Sequence, residues 1–435
     1  MKLVVRPTAC ISGEVTSPSS KSQSIRAIFL SLLSEGESIL NNILDSDDIA
    51  DAINICRLFE VDIAKENDEY ILRSRGLPLS TQSLIINTGN SGISTHFIMP
   101  LLGLRKSVNK PVILTCNEQM RLRPVGPLVD ALIALGLNIK YLNKDGYLPI
   151  LVSKKLNGGK TEVAGITSQY LSALLLALPC ARNDSEITVR DLRERPYLEM
   201  TIECLKEQGI QFVHHSERNM DRFTIKGRQI YKNFNKTITG DFSSASYLLA
   251  AAVMTQSNVA IYKLNMNDLQ ADKKLISILQ EMGADIVVEA GQIIVKGGKP
   301  LKGMDIDASD MPDLLPTLAV IGSFAQGKTR IFNVPQARIK ETDRIHSIAE
   351  GLTKMGCLVD TTPDGLTIHT SKLSGANVFG YGDHRTVMAL CVAGLIAEGE
   401  TTIDGAEAIN KSYPNFIRAM KSLGADVEVE NAIIQ

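Results

Sequence analysis

Two patterns of apolar and polar positions alternate along the chain. In the first, apolar residues recur three and four apart, a glycine usually follows, and a short alternating stretch comes next. It reads LVDALIALGLNIKYL around Gly136, MTIECLKEQGIQFV around Gly209 and LISILQEMGADIVV around Gly283. It returns as IAEGLTKMGCLVDT around Gly356 and FIRAMKSLGADVEV around Gly424. A weaker first copy, DAINICRLFEVDIA, carries Glu60 where the others have glycine. The spacing predicts an amphipathic helix, the glycine its left-handed end, and the alternation a half-buried strand. The anchors fall roughly 70 residues apart, so six such units account for essentially the whole chain.

In the second pattern a short polar segment runs straight into an apolar helix. The copies are SPSSKSQSIRAIFLSLL, NTGNSGISTHFIMPLL, GITSQYLSALLLALP, GDFSSASYLLAAAVM, ASDMPDLLPTLAVIG and YGDHRTVMALCVAGLIAEG. Each opens with residues that cap helix N-termini. Each unit therefore reads as strands plus two helices, one buried and one amphipathic. Capping alone suffices for GDFSSAS, but not for segments that add Lys21, Arg26, His384 or Arg385. Buried helix N-termini carry partial positive charge and free N–H groups, and several of them with cations added would form an anion site. Six units exceed one core, so a division of three and three is expected. Residues 1–20 with 241–435 would form one domain, carrying Asp313, KETDR, DHR and Lys411, and 21–240 the other, carrying KSQSIR, NSGIST, RLRPVG and TSQY. A cleft between the halves is the expected ligand site.

Composition narrows the function. The 435 residues are 44% apolar and 22% charged, with a net charge of −2, which argues against a nucleic-acid-binding surface. Aromatics are 5% and tryptophan is absent, which disfavours stacking platforms. Seven scattered cysteines without a C-x-x-C pair fit a reducing compartment. The six histidines show no ligand spacing, so no metal site is read. The start MKLVVRPTACISGEV is broken by Arg6 and Pro7, too early for a signal-peptide core, and no apolar run has the length of a membrane span. The expectation is a cytoplasmic monomer with small-molecule partners, no nucleic acid and no membrane.

The run ARIKETDR, Ala337 to Arg344, concentrates charge. Such runs are usually solvated surface. On a helix, Lys340 and Arg344 would share a face with Glu341 beside them, and Pro335 suggests a loop entering that helix.

Taken in order, these segments resemble the enolpyruvyl transferase family, in particular its members acting on shikimate 3-phosphate. The resemblance runs from about residue 10 to the C-terminus and rests on KSQSIR, NSGIST, RLRPVG, TSQY, MPD at 311–313, KETDR at 340–344, GDHR at 382–385 and KSYP at 411–414. It implies an α/β fold of two domains, each built from three βαβαββ units around a pseudo-threefold axis, an inside-out α/β barrel closing on its substrates. It implies transfer of the enolpyruvyl group of phosphoenolpyruvate to the 5-hydroxyl of shikimate 3-phosphate, through a tetrahedral intermediate, with no cofactor. The substrates carry roughly five to six negative charges, which explains the cations. By resemblance, Arg123, Arg344, Arg385 and Lys411 hold phosphoenolpyruvate with the backbone of Gly92. Ser22 and Arg26 take the shikimate carboxylate, Thr167, Ser168 and Lys340 its phosphate, and Gln169 lies between the substrates. Asp313 is assigned to the ring hydroxyl and Glu341 to proton transfer at carbon, with Lys21 assisting either step. His384 is an orienting cap or a catalytic aid.

The match departs from the family pattern at four places. His96 stands for an arginine, and Gln336 for a substrate-binding asparagine. Ile93 stands for a threonine, adding bulk that would weaken glyphosate. Glu194 in RERPYLEMT stands for a phosphate-binding serine, with Arg195 the expected phosphate ligand in its place and Glu194 turned aside or paired with it. A different phosphorylated acceptor, or a non-catalytic anion-binding relative, are the alternatives. Retention of Lys21, Asp313 and Glu341 argues against the second.

Overall fold

The computed structural model describes residues 1–430. Six repeats each contribute a buried helix and an amphipathic one. In chain order the pairs are α1 (Lys21–Leu33) and α2 (Asp47–Leu58), α3 (Gly92–Leu101) and α4 (Gly126–Ala134), and α5 (Ser168–Ala177) and α6 (Arg195–Glu207). They continue with α7 (Phe242–Met254) and α8 (Lys274–Met282), α9 (Leu315–Phe324) and α10 (Arg344–Lys354), and α11 (His384–Ile396) and α12 (Phe416–Ser422). The chain divides into two compact units. The continuous unit is Ser19–Ile238; the discontinuous unit joins Met1–Pro18 to the chain from Thr239 onward.

The third repeat shows the plan. Strand Gly159–Ala164 pairs parallel with Ser185–Arg190, and α5 forms the crossover between them. Parallel neighbours need such a crossover, and a helix supplies it while covering the sheet. After α6, Phe212–Glu217 and Met220–Ile225 form a hairpin whose second strand pairs antiparallel with Ser185–Arg190. The result is a βαβαββ unit. The other sheets repeat the order of one parallel edge followed by an antiparallel meander, and in the first repeat a fifth strand, Asn235–Thr237, adds to Ser34–Asn41.

The helix pairs differ because their sequences do. Every residue of α7 is buried, and so is α11 from His384 to Leu395; helices apolar all round belong inside. In the discontinuous unit α7, α9 and α11 pack on one another within one continuous core. The continuous unit has its own core around α1, α3 and α5. By contrast α8 buries Leu275, Ile276, Ile278, Leu279 and Met282 and leaves its other face open. The anchor glycines after the amphipathic helices all have positive φ, from 68° at Gly209 to 108° at Gly136 and Gly283. Glu60 adopts the same left-handed turn at φ 62°, so the first copy keeps the geometry without the glycine.

The first sixteen residues complete two distant sheets. Lys2–Val5 lies between Thr401–Asp404 and Val427–Glu430, antiparallel to both. Cys10–Thr16 runs parallel to Gln256–Tyr262. Among the described residues no helix is long and apolar enough to cross a membrane.

Candidate active site

In the discontinuous unit the site is built at helix starts. The ARIKETDR run is not one helix: Pro335–Ile339 is a 3₁₀ turn, and α10 begins only at Arg344. Lys340 therefore precedes the helix, and the shared helical face expected for Lys340 and Arg344 does not form. Asp343 is the cap. Its Oδ1 accepts from the His346 N–H at 3.1 Å, while Oδ2 takes Arg338 at 2.6 Å. A short polar residue was needed here to stop the turn and start the helix.

That start aims Arg344 inward, where its side chain is 1% exposed and bonded to three carboxylates. Nε donates to Asp383 at 2.7 Å, Nη1 to Asp313 at 2.6 Å and Nη2 to Glu341 at 2.6 Å. Each terminal nitrogen keeps a second hydrogen. Arg385, the second residue of α11, donates from Nη2 to the other oxygen of Asp313 at 2.6 Å. Lys411 Nζ stands 3.5 Å from the other oxygen of Glu341. The structure thus gathers Asp313, Glu341, Arg344, Arg385 and Lys411 from four segments of the chain. Burial would raise the Asp313 pKa, but Arg385, Arg344 and Lys340 outweigh it and hold the carboxyl well below the usual range. Burial works against the Arg344 charge too, and Asp383, Glu341 and Asp313 overcome it, so the guanidinium pKa is raised.

Around this cluster Gln336 donates Nε2 to the Ser309 carbonyl at 2.7 Å, and its buried Oε1 has no hydrogen-bond partner among the described residues. A buried amide oxygen left over is a ready acceptor for a ligand hydroxyl. His384 is fully buried at the first position of α11, with Nδ1 3.7 Å from Asp383. In this unit two acids carried no signal in the sequence. Asp383 lay inside the quoted GDHR without a role; its Oδ1 also caps α11 by accepting from the Arg385 N–H at 2.8 Å. Asp272 lies in a stretch with no motif. Burial, then the charge of Asp313, pushes its pKa up to about 7 against the pull of Arg385, and its carboxylate accepts from Ser243 in GDFSSAS.

The continuous unit holds the other predicted residues, most of them in α1 and at the starts of α3 and α5, with Arg123 in the loop before α4 and Arg195 opening α6. Lys21 opens α1 and pairs with the buried Asp48 at 2.9 Å, an acid that pattern reading had no reason to select. Ser22 follows it, and its carbonyl takes one N–H of Arg26 at 3.0 Å. Arg26 is 2% exposed and donates further to Thr201 Oγ1 at 2.9 Å and the Tyr197 carbonyl at 2.8 Å. Burial without a carboxylate beside it lowers its pKa to about 10. The Arg123 guanidinium lies against Gly92, so close that a Cβ there would meet Nη1 at 2.3 Å. The RLRPVG loop is pinned by Tyr170, whose hydroxyl donates to the Pro124 carbonyl at 2.7 Å.

Two departures from the family pattern acquire structure here. His96 Nδ1 and Gln169 Oε1 share a hydrogen bond of 2.7 Å; since the amide oxygen can only accept, the imidazole donates. Glu194 is turned onto Thr167 and Ser168, accepting from both hydroxyls and from the Ser168 N–H. Arg195 makes a two-pronged pair with Asp221 at 3.1 and 2.6 Å. Asp221 also bonds His214 at 2.8 Å.

Known proteins resemble the chain over nearly its whole length. The family model for EPSP synthase (3-phosphoshikimate 1-carboxyvinyltransferase) matches residues 5–420. A 3-phosphoshikimate 1-carboxyvinyltransferase of Acetivibrio thermocellus is 43% identical over 427 residues, 98% of this chain and 99% of that protein. One from Methanocaldococcus jannaschii is 41% identical, covering 98% of this chain and 99% of its own. Among solved structures, EPSP synthase from Acinetobacter baumannii superposes with a TM-score of 0.82 at 26% identity, over 99% of this chain and 100% of that one. With buried acid–cation clusters at the helix starts of a six-repeat fold, and relatives of this similarity along its full length, the chain belongs to the EPSP synthase family.

Proposed function

We propose that the protein transfers the enolpyruvyl group of phosphoenolpyruvate to the 5-hydroxyl of shikimate 3-phosphate and releases phosphate, a step of aromatic amino acid biosynthesis. The hydroxyl oxygen adds to C2 of phosphoenolpyruvate as its proton leaves and another reaches the methylene carbon. The C2–O bond to phosphate then breaks while a proton departs from the new methyl group, restoring the double bond. The observation that carries the reading is Arg344 held among Asp313, Glu341 and Asp383, with Arg385 and Lys411 alongside.

In this reading Arg123, Arg344, Arg385 and Lys411 bind phosphoenolpyruvate with the backbone of Gly92. Asp313 orients the ring hydroxyl and takes its proton. Its low proton affinity in the resting state suits the first task, and anions arriving on Arg344 and Arg385 weaken the pull on it, preparing the second. Glu341 works at the substrate carbon, with Arg344 on one oxygen and Lys411 near the other. Lys21, held by Asp48, assists proton movement. Ser22 and Arg26 take the acceptor carboxylate, Gln336 its hydroxyls, and Thr167, Ser168, Arg195 and Lys340 its phosphate. His96 keeps the Gln169 amide facing one way. His384 acts from within α11 as a positioning residue.

Phosphate release in the presence of both substrates, with the carboxyvinyl product identified by mass, tests the reading. Glu341→Gln should lower kcat by on the order of 10²–10⁴. A folded protein that binds phosphoenolpyruvate but does not turn over with shikimate 3-phosphate would overturn it. We further infer a cytoplasmic protein without nucleic-acid partners, supported by the seven free cysteines and the net charge of −2, and a monomer without membrane partners; sedimentation tests the monomer.

A further inference from the structure

Three donors at the start of α5 converge on one oxygen. Glu194 Oε2 accepts from Thr167 Oγ1 at 3.1 Å, from the Ser168 N–H at 3.1 Å and from Ser168 Oγ at 2.9 Å. Hydroxyls and an N–H at a helix N-terminus form an anion receptor, and here the anion comes from the chain itself. Glu194 is 2% exposed and its backbone is left-handed at φ 57°, a conformation that a residue with a Cβ adopts under constraint. It sits at the cap position of α6 yet gives that helix no side-chain cap; the carboxylate reaches across to α5 instead. Its neighbour Arg195 is directed to Asp221.

We propose that Glu194 is an internal occupant of the acceptor-phosphate subsite and sets the affinity for the acceptor. It holds the Thr167 and Ser168 donors until the phosphate displaces it. The inference rests on the reading above, in which these two residues receive the phosphate of shikimate 3-phosphate. The physical reason is competition. A hydroxyl has one hydrogen, so a bond given to Glu194 is not available to phosphate. Phosphate bound beside an undisplaced carboxylate would meet like charge at short range with little water to screen it. Acceptor binding is therefore weaker by the cost of turning Glu194 away, whereas phosphoenolpyruvate, assigned to other residues, is indifferent to it.

The test compares Glu194→Ala and Glu194→Gln with wild type in the full-length protein. KM is measured for each substrate, and the Kd of shikimate 3-phosphate by calorimetry. Both substitutions should tighten the acceptor, alanine about tenfold and glutamine less, since its amide oxygen still accepts from Ser168 without the charge. KM for phosphoenolpyruvate should not move, and inorganic phosphate should become a stronger competitor against the acceptor. Glutamine preserves the size of the side chain, so the comparison survives if the alanine variant does not fold. A purely structural cap predicts the reverse, lower stability with acceptor affinity unchanged or weakened, and that result in both variants overturns the proposal. Thr167→Ala and Ser168→Ala separate the two ideas. If they weaken the acceptor while the Glu194 variants do not tighten it, the inference fails alone. If they leave acceptor binding untouched, the phosphate subsite itself lies elsewhere and the inference falls with it.

Discussion

Single side chains in this protein are held by partners that fix what a substitution would do. Gly92→Ala places a Cβ 2.3 Å from Arg123 Nη1, so the guanidinium must shift. KM for phosphoenolpyruvate should rise about tenfold while that for the acceptor changes little, the split expected when one substrate's contact is lost. Arg344→Lys replaces a planar fork serving three carboxylates with one compact charge. It should destabilise the protein by about 3–5 kcal/mol, the cost of stranding buried partners, read as a lower melting temperature. Asp272 gives a pH signature. Unfolded, it releases its proton near ~3.9; folded, near about 7. Between those values the folded state binds the extra proton, so its contribution to stability falls as pH rises through the window and levels off above it. Asp272→Asn removes the effect while keeping an acceptor for Ser243. Its melting temperature relative to wild type should climb from pH 4 to pH 7 and then stay flat.

At the scale of elements, the repeated turn after each amphipathic helix is the informative feature. Five copies use glycine, and Glu60 takes the same left-handed turn with a side chain attached. Its pair with Arg75, 3.4 Å and largely exposed, contributes little. Glu60→Gly should therefore stabilise the protein by about 1 kcal/mol, seen as a higher urea midpoint at unchanged slope. The turn was legible in the sequence because helix periodicity and a C-terminal glycine are local signals. The start of α10 was only half legible. KETDR announced chemistry, but the 3₁₀ turn Pro335–Ile339 and the Asp343 cap divide the run, so the pairing of Lys340 with Arg344 on one face was lost.

At the scale of the whole molecule, connectivity decides what can fold by itself. The continuous unit, Ser19–Ile238, has a self-contained core, so a fragment spanning it should show a cooperative thermal transition by circular dichroism. The discontinuous unit depends on its first strands. Without residues 1–16 the sheet containing Thr401–Asp404 and Val427–Glu430 loses the strand between them, and the sheet of Gln256–Tyr262 loses its parallel edge. That deletion should abolish the native fold of this unit while leaving protection from hydrogen exchange in the other.

The sequence by itself determined the six repeats, the division into buried and amphipathic helices, and the helix starts rich in caps and cations. Each is encoded within a few turns of chain, where spacing alone dictates which face is apolar and which residue can cap. It also carried the family, because the motifs keep their order along the chain. Only the tertiary structure decided which acids meet which cations. Asp383 and Asp272 join the cluster around Asp313, Asp48 holds Lys21, and Glu194 turns onto Thr167 and Ser168 across 27 and 26 residues of sequence. These pairings depend on where distant helix starts converge and on the left-handed backbone at Glu194. Neither leaves a periodic trace, because long-range electrostatics selects among side chains that look alike in the sequence.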